Sequence, residues 1–442
     1  MFSNYMRVVI RSLFVTIGAL FVSVTATAQL SIDITEGNLE PLPIAVPDFI
    51  TTDNRVADIG RQVAEIVRAD LERSGLFNPL NPASFIETQT NIDYEPSFSD
   101  WRVIKAEALV SGRIVRESDA RVRVEFRLWD IFGEKQLTGL RFATTPENIR
   151  RISHKVSDAI YQSLTGETGY FDSRIVFIDE QGPKTNRTKR LTIMDQDGAS
   201  PQYLLAGSNL VLTPRFSPNS QKITFMSYEN VVPQVYLLDI ETGRRELLGN
   251  FPGMTFSPRF APDGESLILS IVERGNSDIY LMDLVSRSTS RLTSDPGIDV
   301  SGSFSPDGRK IIFNSDRGGS PQLYVMNADG SGVKRISFGK GRYSAPVWSP
   351  RGDLIAFTKS HNGQFSIGVI KPDGSGERQL TSGYLVEGPT WSPNGRVIIF
   401  SKETRGRNGS SEVWSVDLTG RNLRKVDTPG KASDPAWSPL LP

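Results

Sequence analysis

Chemistry at a protein site usually rests on a histidine, a cysteine, an activated serine or a phosphate-cradling loop, and this chain offers few of them. It holds two histidines and no cysteine. His154 lies among helix-patterned residues with no ligand spacing around it, which reads as a surface or domain-interface position. His361 falls in His361-Asn362-Gly363, a tight turn between two strands. With no second histidine near either, an imidazole metal site is not expected, and thiolate ligands and disulfides are excluded. No Gly-x-Ser-x-Gly elbow, Gly-x-x-x-x-Gly-Lys loop or dinucleotide fingerprint occurs. The Asp-Gly pairs at 197, 263, 307, 329 and 373 lack the ligand series and distant glutamate of a calcium loop, so turn geometry is their reading. Neither catalysis nor a cofactor nor a metal is expected.

The chain's main regularity is a repeated motif. Pro214-Arg215-Phe216-Ser217-Pro218 returns as Pro258-Arg259-Phe260-Ala261-Pro262 and Gly302-Ser303-Phe304-Ser305-Pro306. It returns again as Pro346-Val347-Trp348-Ser349-Pro350, Pro389-Thr390-Trp391-Ser392-Pro393 and Pro435-Ala436-Trp437-Ser438-Pro439. The six aromatics follow one another at intervals of 44, 44, 44, 43 and 46 residues. A period of this size, built from short strands and turns, marks a β-propeller in which each repeat is a blade.

One repeat shows how. After Phe304, Asp307-Gly308 supplies the turn that tolerates positive φ, and Lys310-Ile311-Ile312-Phe313 is an apolar second strand. Gln322 to Asn327 makes a third strand and Val333 to Ser337 a fourth. The first repeat, from Arg174, lacks an aromatic motif before it, while the last motif has nothing after it. The terminal strand is therefore expected to complete the first blade and close a six-bladed ring, leaving no open edge.

Before the ring the pattern changes. Leu42 to Phe49 reads as a proline-interrupted strand near a sheet edge, followed by a helix capped by Asp53 or Asn54 and ended by Gly75. Strand patterns cover 108–115, 122–131 and 137–144, with a short helical piece near Trp101 and a second amphipathic helix over 146–164. This predicts a small α/β domain. Arg7 and Arg11, the apolar run Leu13 to Val24 and Ala26-Thr27-Ala28 read as a signal peptide cleaved after Ala28, hence an exported protein. Gln29 to Glu36 alternates apolar and polar; it reads either as an edge strand of the next domain or as a peptide that adds to a partner's sheet. The organisation expected is 1–28 signal, 29–40 partner-binding peptide, 41–168 α/β domain and 169–442 propeller. Fifty basic and fifty acidic residues among 442 argue against nucleic acid as a partner.

What remains is surface. The loops leading into the aromatic strands share one face with the hairpins between second and third strands. They carry Met254, Phe256, Tyr343, Tyr384 and Leu385 beside Arg342, Glu387 and Lys431, which is the composition of a protein-binding face. A periplasmic propeller hydrolase or lyase acting on peptides or saccharides, and a small-ligand binder using the central channel, are the alternatives.

Taken together, the signal, the alternating peptide, the α/β domain and the six repeats closed by Pro-Ala-Trp-Ser-Pro resemble the TolB family of periplasmic propeller proteins in the Tol-Pal envelope system. The resemblance covers the whole chain after Ala28 and is close at Ile44 to Phe49, at Asp58 to Leu80 and at the C-terminus. It implies a monomeric, non-enzymatic scaffold that keeps the outer membrane attached during constriction at division. It implies that the loop face binds the peptidoglycan-associated lipoprotein Pal, through Met254, Thr255, Phe256, Val300, Ser301, Arg342, Tyr343, Leu385, Glu387 and Lys431. It also implies that Gln29, Leu30, Ser31, Ile32, Asp33 and Ile34 bind TolA, with other outer-membrane proteins as further partners.

Overall fold

In the computed structural model, residues 30–32 and 40–441 are described, apart from 88–89, 118–120, 184–185, 206–209, 231, 250, 252 and 407–408. The signal sequence, its cleavage residue Ala28, and Gln29, Asp33 and Ile34 lie outside the described residues. The N-terminal region is a five-stranded sheet built from β1 (Leu42–Ala45), β2 (Phe77–Pro79), β3 (Ala108–Arg116), β4 (Val122–Asp130) and β5 (Lys135–Thr144), in the order β2-β1-β3-β4-β5. Strand β1 runs parallel to both neighbours and lies one place in from the sheet edge, as its prolines suggested. Pro43 is tolerated there because pairing with β3 begins only at Ile44↔Ala108, and Pro43 needs only to accept from Glu107 N–H. The true edge, β2, is three residues long and gave no alternating pattern to read.

Helix α1 (Ala57–Ser74) ends at Gly75, whose φ of 74° is the left-handed conformation that favours glycine. The short α2 (Phe98–Val103) carries Trp101 against the opposite face of the sheet, where it joins Ala45, Leu109 and Trp129. Helix α3 (Ile149–Thr165) packs on α1, and both bury their apolar stripe in one core with Val110, Val124 and Phe126.

The rest is a six-bladed propeller of four-stranded antiparallel blades. Blades 2 to 6 each begin with their aromatic strand: Val211–Phe216, Met254–Phe260, Asp299–Phe304, Arg342–Trp348 and Leu385–Trp391. Blade 1 takes its inner strand, Lys431–Trp437, from the C-terminus, paired antiparallel to Arg174–Gln181. The α/β core is continuous with the ring: Tyr161, Tyr170 and Phe171 share one apolar cluster with Phe177, Val397, Ile399 and Trp437. Polar ties reinforce it, from Arg351 to Glu167, from Asn394 Nδ2 to Thr168 O at 2.9 Å and from Asn422 Nδ2 to Arg73 O at 2.8 Å. These ties come from the turns after first and third strands, so the α/β domain sits on the ring face opposite the loops that lead into the aromatic strands.

Candidate partner-binding face

Each inner strand bends before its aromatic. In all six the ladder slips by one residue, and the residue in the bulge is left-handed: Thr213, Ser257, Ser301, Ala345, Gly388 and Asp434, with φ between 47° and 64°. Five of these six are not glycine, at a cost of about 1–2 kcal/mol each. The preceding blade holds Thr213, Ser301 and Asp434 there, with Thr213 N–H donating to Asp434 Oδ2 at 3.4 Å. Ser301 N–H donates to Ser270 Oγ at 3.1 Å, and Asp434 N–H to Ser401 Oγ at 2.9 Å, each acceptor on the preceding blade. The bulge reverses which side chains face the ring's interior, and it sets the loop-side end of each strand at the rim.

Six residues ahead of each aromatic, at that rim, stand Leu210, Met254, Ile298, Arg342, Leu385 and Lys431. Leu210, Met254 and Ile298 are 39%, 49% and 49% exposed on three consecutive blades. Arg342 is exposed, while Leu385 and Lys431 are half-buried. Phe338, in the loop before Arg342, is 74% exposed, and Tyr384 projects beneath the guanidinium of Arg405, 5.7 Å from its ring centre. The rim is thus an apolar arc flanked by two cations, a composition suited to a protein partner.

The sequence reading placed some of these residues and missed others. Met254, Arg342, Leu385 and Lys431 stand at the rim; just inside it Phe256, Val300 and Ser301 lie half-buried, while Glu387, at the repeat position of Phe256 and Val300, is exposed. Thr255 and Tyr343 do not belong to the exposed surface. Thr255 is buried in the inner strand. Tyr343 is wholly buried between blades 4 and 5, tilted against Phe357, with its hydroxyl donating to Glu377 Oε1 at 2.8 Å and Lys359 Nζ above its ring. Alternation along the inner strand turns one of two neighbouring residues inward, and Arg342 took the outward position. Leu210, Ile298 and Phe338 were missed. The signal was present for the first two, since they occupy the repeat position of Met254.

Glu387, just inside the rim, is exposed yet crowded by protein atoms; that crowding first, then the carboxylates of Asp434 and Glu403, raise its pKa above its ordinary value. Of the N-terminal peptide, Leu30 and Ile32 pack against the α/β core, and Ile32 N–H donates to Leu164 O at 2.7 Å at the end of α3. The described residues 30–32 form no strand of the sheet.

His154 is a domain-interface residue, and it is buried rather than superficial. Its Nδ1 lies 2.7 Å from Asp70 Oδ2, and Asp70 also accepts from Ser157 Oγ at 2.9 Å and from Gln196 Nε2 of the propeller at 3.0 Å. Burial opposes its charge, but Asp70 outweighs that and raises its pKa. Among the described residues, His154, Asp195 and Asp197 are one group whose ligand atoms approach within 4.8 Å. Arg150 already engages both carboxylates, through Nε to Asp195 at 3.1 Å and Nη2 to Asp197 at 2.5 Å. The cluster is charge-matched as it stands and is not built for a cation.

Comparison with known proteins follows the same division. Residues 30–137 match the family model of the TolB amino-terminal domain, and residues 161–441 that of the TolB beta propeller domain. The Tol-Pal system protein TolB of Paramagnetospirillum magneticum is 55% identical over 245 residues, which is 55% of this chain and about half the length of that relative. The crystal structure of TolB from Acinetobacter baumannii superposes with a TM-score of 0.79 at 32% identity, covering 93% of this chain and all of that one.

Proposed function

The chain belongs to the TolB family, and from that premise we propose that it is a non-enzymatic scaffold of the Tol-Pal system, exported to the periplasm and acting as a monomer. Its loop face binds the peptidoglycan-associated lipoprotein, its N-terminal peptide binds TolA, and together these contacts maintain the outer membrane during constriction. The observation that carries the reading is the rim, where one repeat position presents Leu210, Met254 and Ile298 outward on adjacent blades, on the ring face away from the α/β domain. Exposed apolar groups at a recurring position have no packing role of their own, and burial against a partner accounts for them. Among the described residues no helix is long and apolar enough to cross a membrane, which accords with partners supplying the attachment.

The test is capture of the lipoprotein by the full mature chain, comparing the natural protein with Met254→Asp/Ile298→Asp. Loss of capture with an unchanged melting temperature supports the reading. Equal capture removes the loop face from consideration.

A further inference from the structure

The opposite mouth of the propeller channel, on the side of the α/β domain, is a cavity of about 430 Å³ walled by the six aromatics Phe216, Phe260, Phe304, Trp348, Trp391 and Trp437. Among the residues lining it, the charged side chains are two arginines, Arg215 and Arg259 on adjacent blades. Neither has an ion pair within 4.0 Å among the described residues; the one hydrogen bond from Arg215 goes to the carbonyl of its own neighbour Pro214, at 2.6 Å. The tryptophan donors of the wall are already used: Trp348 donates to Gly352 O, Trp391 to Val347 O and Trp437 to Ser173 Oγ. The charged groups of the wall left without a carboxylate within 4.0 Å are two guanidiniums, each with a planar fork of donors.

Two like charges side by side in an aromatic wall work against the fold unless something answers them. Burial holds Arg259 well below its ordinary range and repulsion from Arg215 pushes the same way; burial likewise lowers Arg215, which the carboxylate of Asp434 opposes. An arginine stays charged in such a place, so a net positive field remains inside the cavity, answered only in part by Asp434.

We propose that this cavity is a binding site for a small organic carboxylate, its carboxylate gripped by the forks of Arg215 and Arg259 and its apolar body laid against the aromatic wall. A volume of this size is typical of small-ligand sites, and apolar walls with a few convergent polar groups are their usual make-up. A carboxylate matches the guanidinium fork bidentately, and the apolar remainder of the wall disfavours a ligand that is polar all round, such as phosphate. The site is independent of the partner-binding reading, because it lies at the other end of the channel from the loop face.

Three tryptophans in the wall provide the readout. Titrating the mature chain with cyclohexanecarboxylate should give a saturable change in tryptophan fluorescence, whereas cyclohexanecarboxamide, which has the same body and no charge, should give none. Arg215→Gln and Arg259→Gln should each weaken the response about tenfold or more, the loss expected for a charge-assisted hydrogen bond, and the pair together should abolish it. If the double variant fails to fold, Arg259→Lys decides, since it keeps the charge and loses the fork: a weaker response supports the site and an unchanged one overturns it. An equal response to the amide, to chloride or in the double variant overturns the proposal. So does tighter binding of inorganic phosphate, which would assign the cavity to a phosphoryl group.

Discussion

The indole N–H of Trp437 donates to Ser173 Oγ at 2.8 Å, joining the last aromatic of the chain to the residue just before the first propeller strand, 264 positions earlier. Around it Ser438 Oγ accepts from Arg174 N–H at 2.8 Å, and Tyr170 stands edge-on to the indole at 5.7 Å. Ring closure and domain docking thus meet at one side chain.

Trp437→Ala should cost about 3–5 kcal/mol, as expected for a large buried aromatic. Removal of residues 434–442 should lower the melting temperature of the propeller and the α/β domain together. Calorimetry checks this, and two separate transitions with the α/β domain unshifted would contradict it.

Gly112 of β3 has no space for a side chain: a Cβ there would lie 2.2 Å from the ring of Phe49. Gly112→Ala should destabilise the protein by about 1–3 kcal/mol through overpacking. Shortening the opposing ring with Phe49→Leu should recover part of that loss. Urea midpoints of the two single variants and the pair decide; additive costs would show that the two residues do not oppose each other.

Asp158, half-buried where α3 meets the propeller junction, has its carboxyl pushed up from 3.8 to about 6, mainly by loss of solvent around it. Its hydrogen bonds from Phe171 N–H at 2.7 Å and Asp172 N–H at 3.0 Å resist the shift, while the charges of Asp172 and Asp70 add to it. The folded pKa lies above the unfolded one, so the folded chain holds the extra proton. Its contribution is complete below about 3.8 and is lost as pH rises through about 6. Between about pH 4 and about pH 7 the natural protein should lose about 2–3 kcal/mol relative to Asp158→Asn. Parallel pH profiles of the two proteins would refute this.

Tyr343 and Met254 should respond in opposite ways. Tyr343→Phe removes the hydroxyl bonded to Glu377 and should cost about 1 kcal/mol of stability with no effect on lipoprotein capture. Met254→Asp should weaken capture with little effect on stability, because its side chain is at the rim. Reduced capture by the tyrosine variant would return Tyr343 to the interface.

Trimming residues 29–36 should abolish TolA binding while leaving the circular dichroism spectrum unchanged. A modest fall in melting temperature is expected as well, since Leu30 and Ile32 leave the core. Retained TolA affinity after trimming would remove the peptide from that role.

Much of the architecture was legible because it is encoded locally. The Asp-Gly turns, the period between aromatics and the unmatched first and last repeats act over a few residues, and each carries its own geometric demand. The rim was half legible: the repeat predicts Leu210 and Ile298 from Met254, but exposure depends on the bulge. Thr213, Ser257, Ser301, Ala345 and Asp434 adopt left-handed backbone with no glycine to announce it, and for Thr213, Ser301 and Asp434 the restraint is a hydrogen bond to the preceding blade.

By itself, then, the amino-acid order settled the number of blades, the manner of closure and the division into two folded regions, since these follow from turn chemistry and hydrophobic period. Folding in three dimensions decided which residues meet. His154 finds Asp70 across 84 positions, Tyr343 turns inward beside an outward Arg342, and Arg215 and Arg259 come to share one cavity. The reason is physical: a local motif is held by its own hydrogen bonds, whereas a site is held by the closed ring, and no single repeat contains the ring.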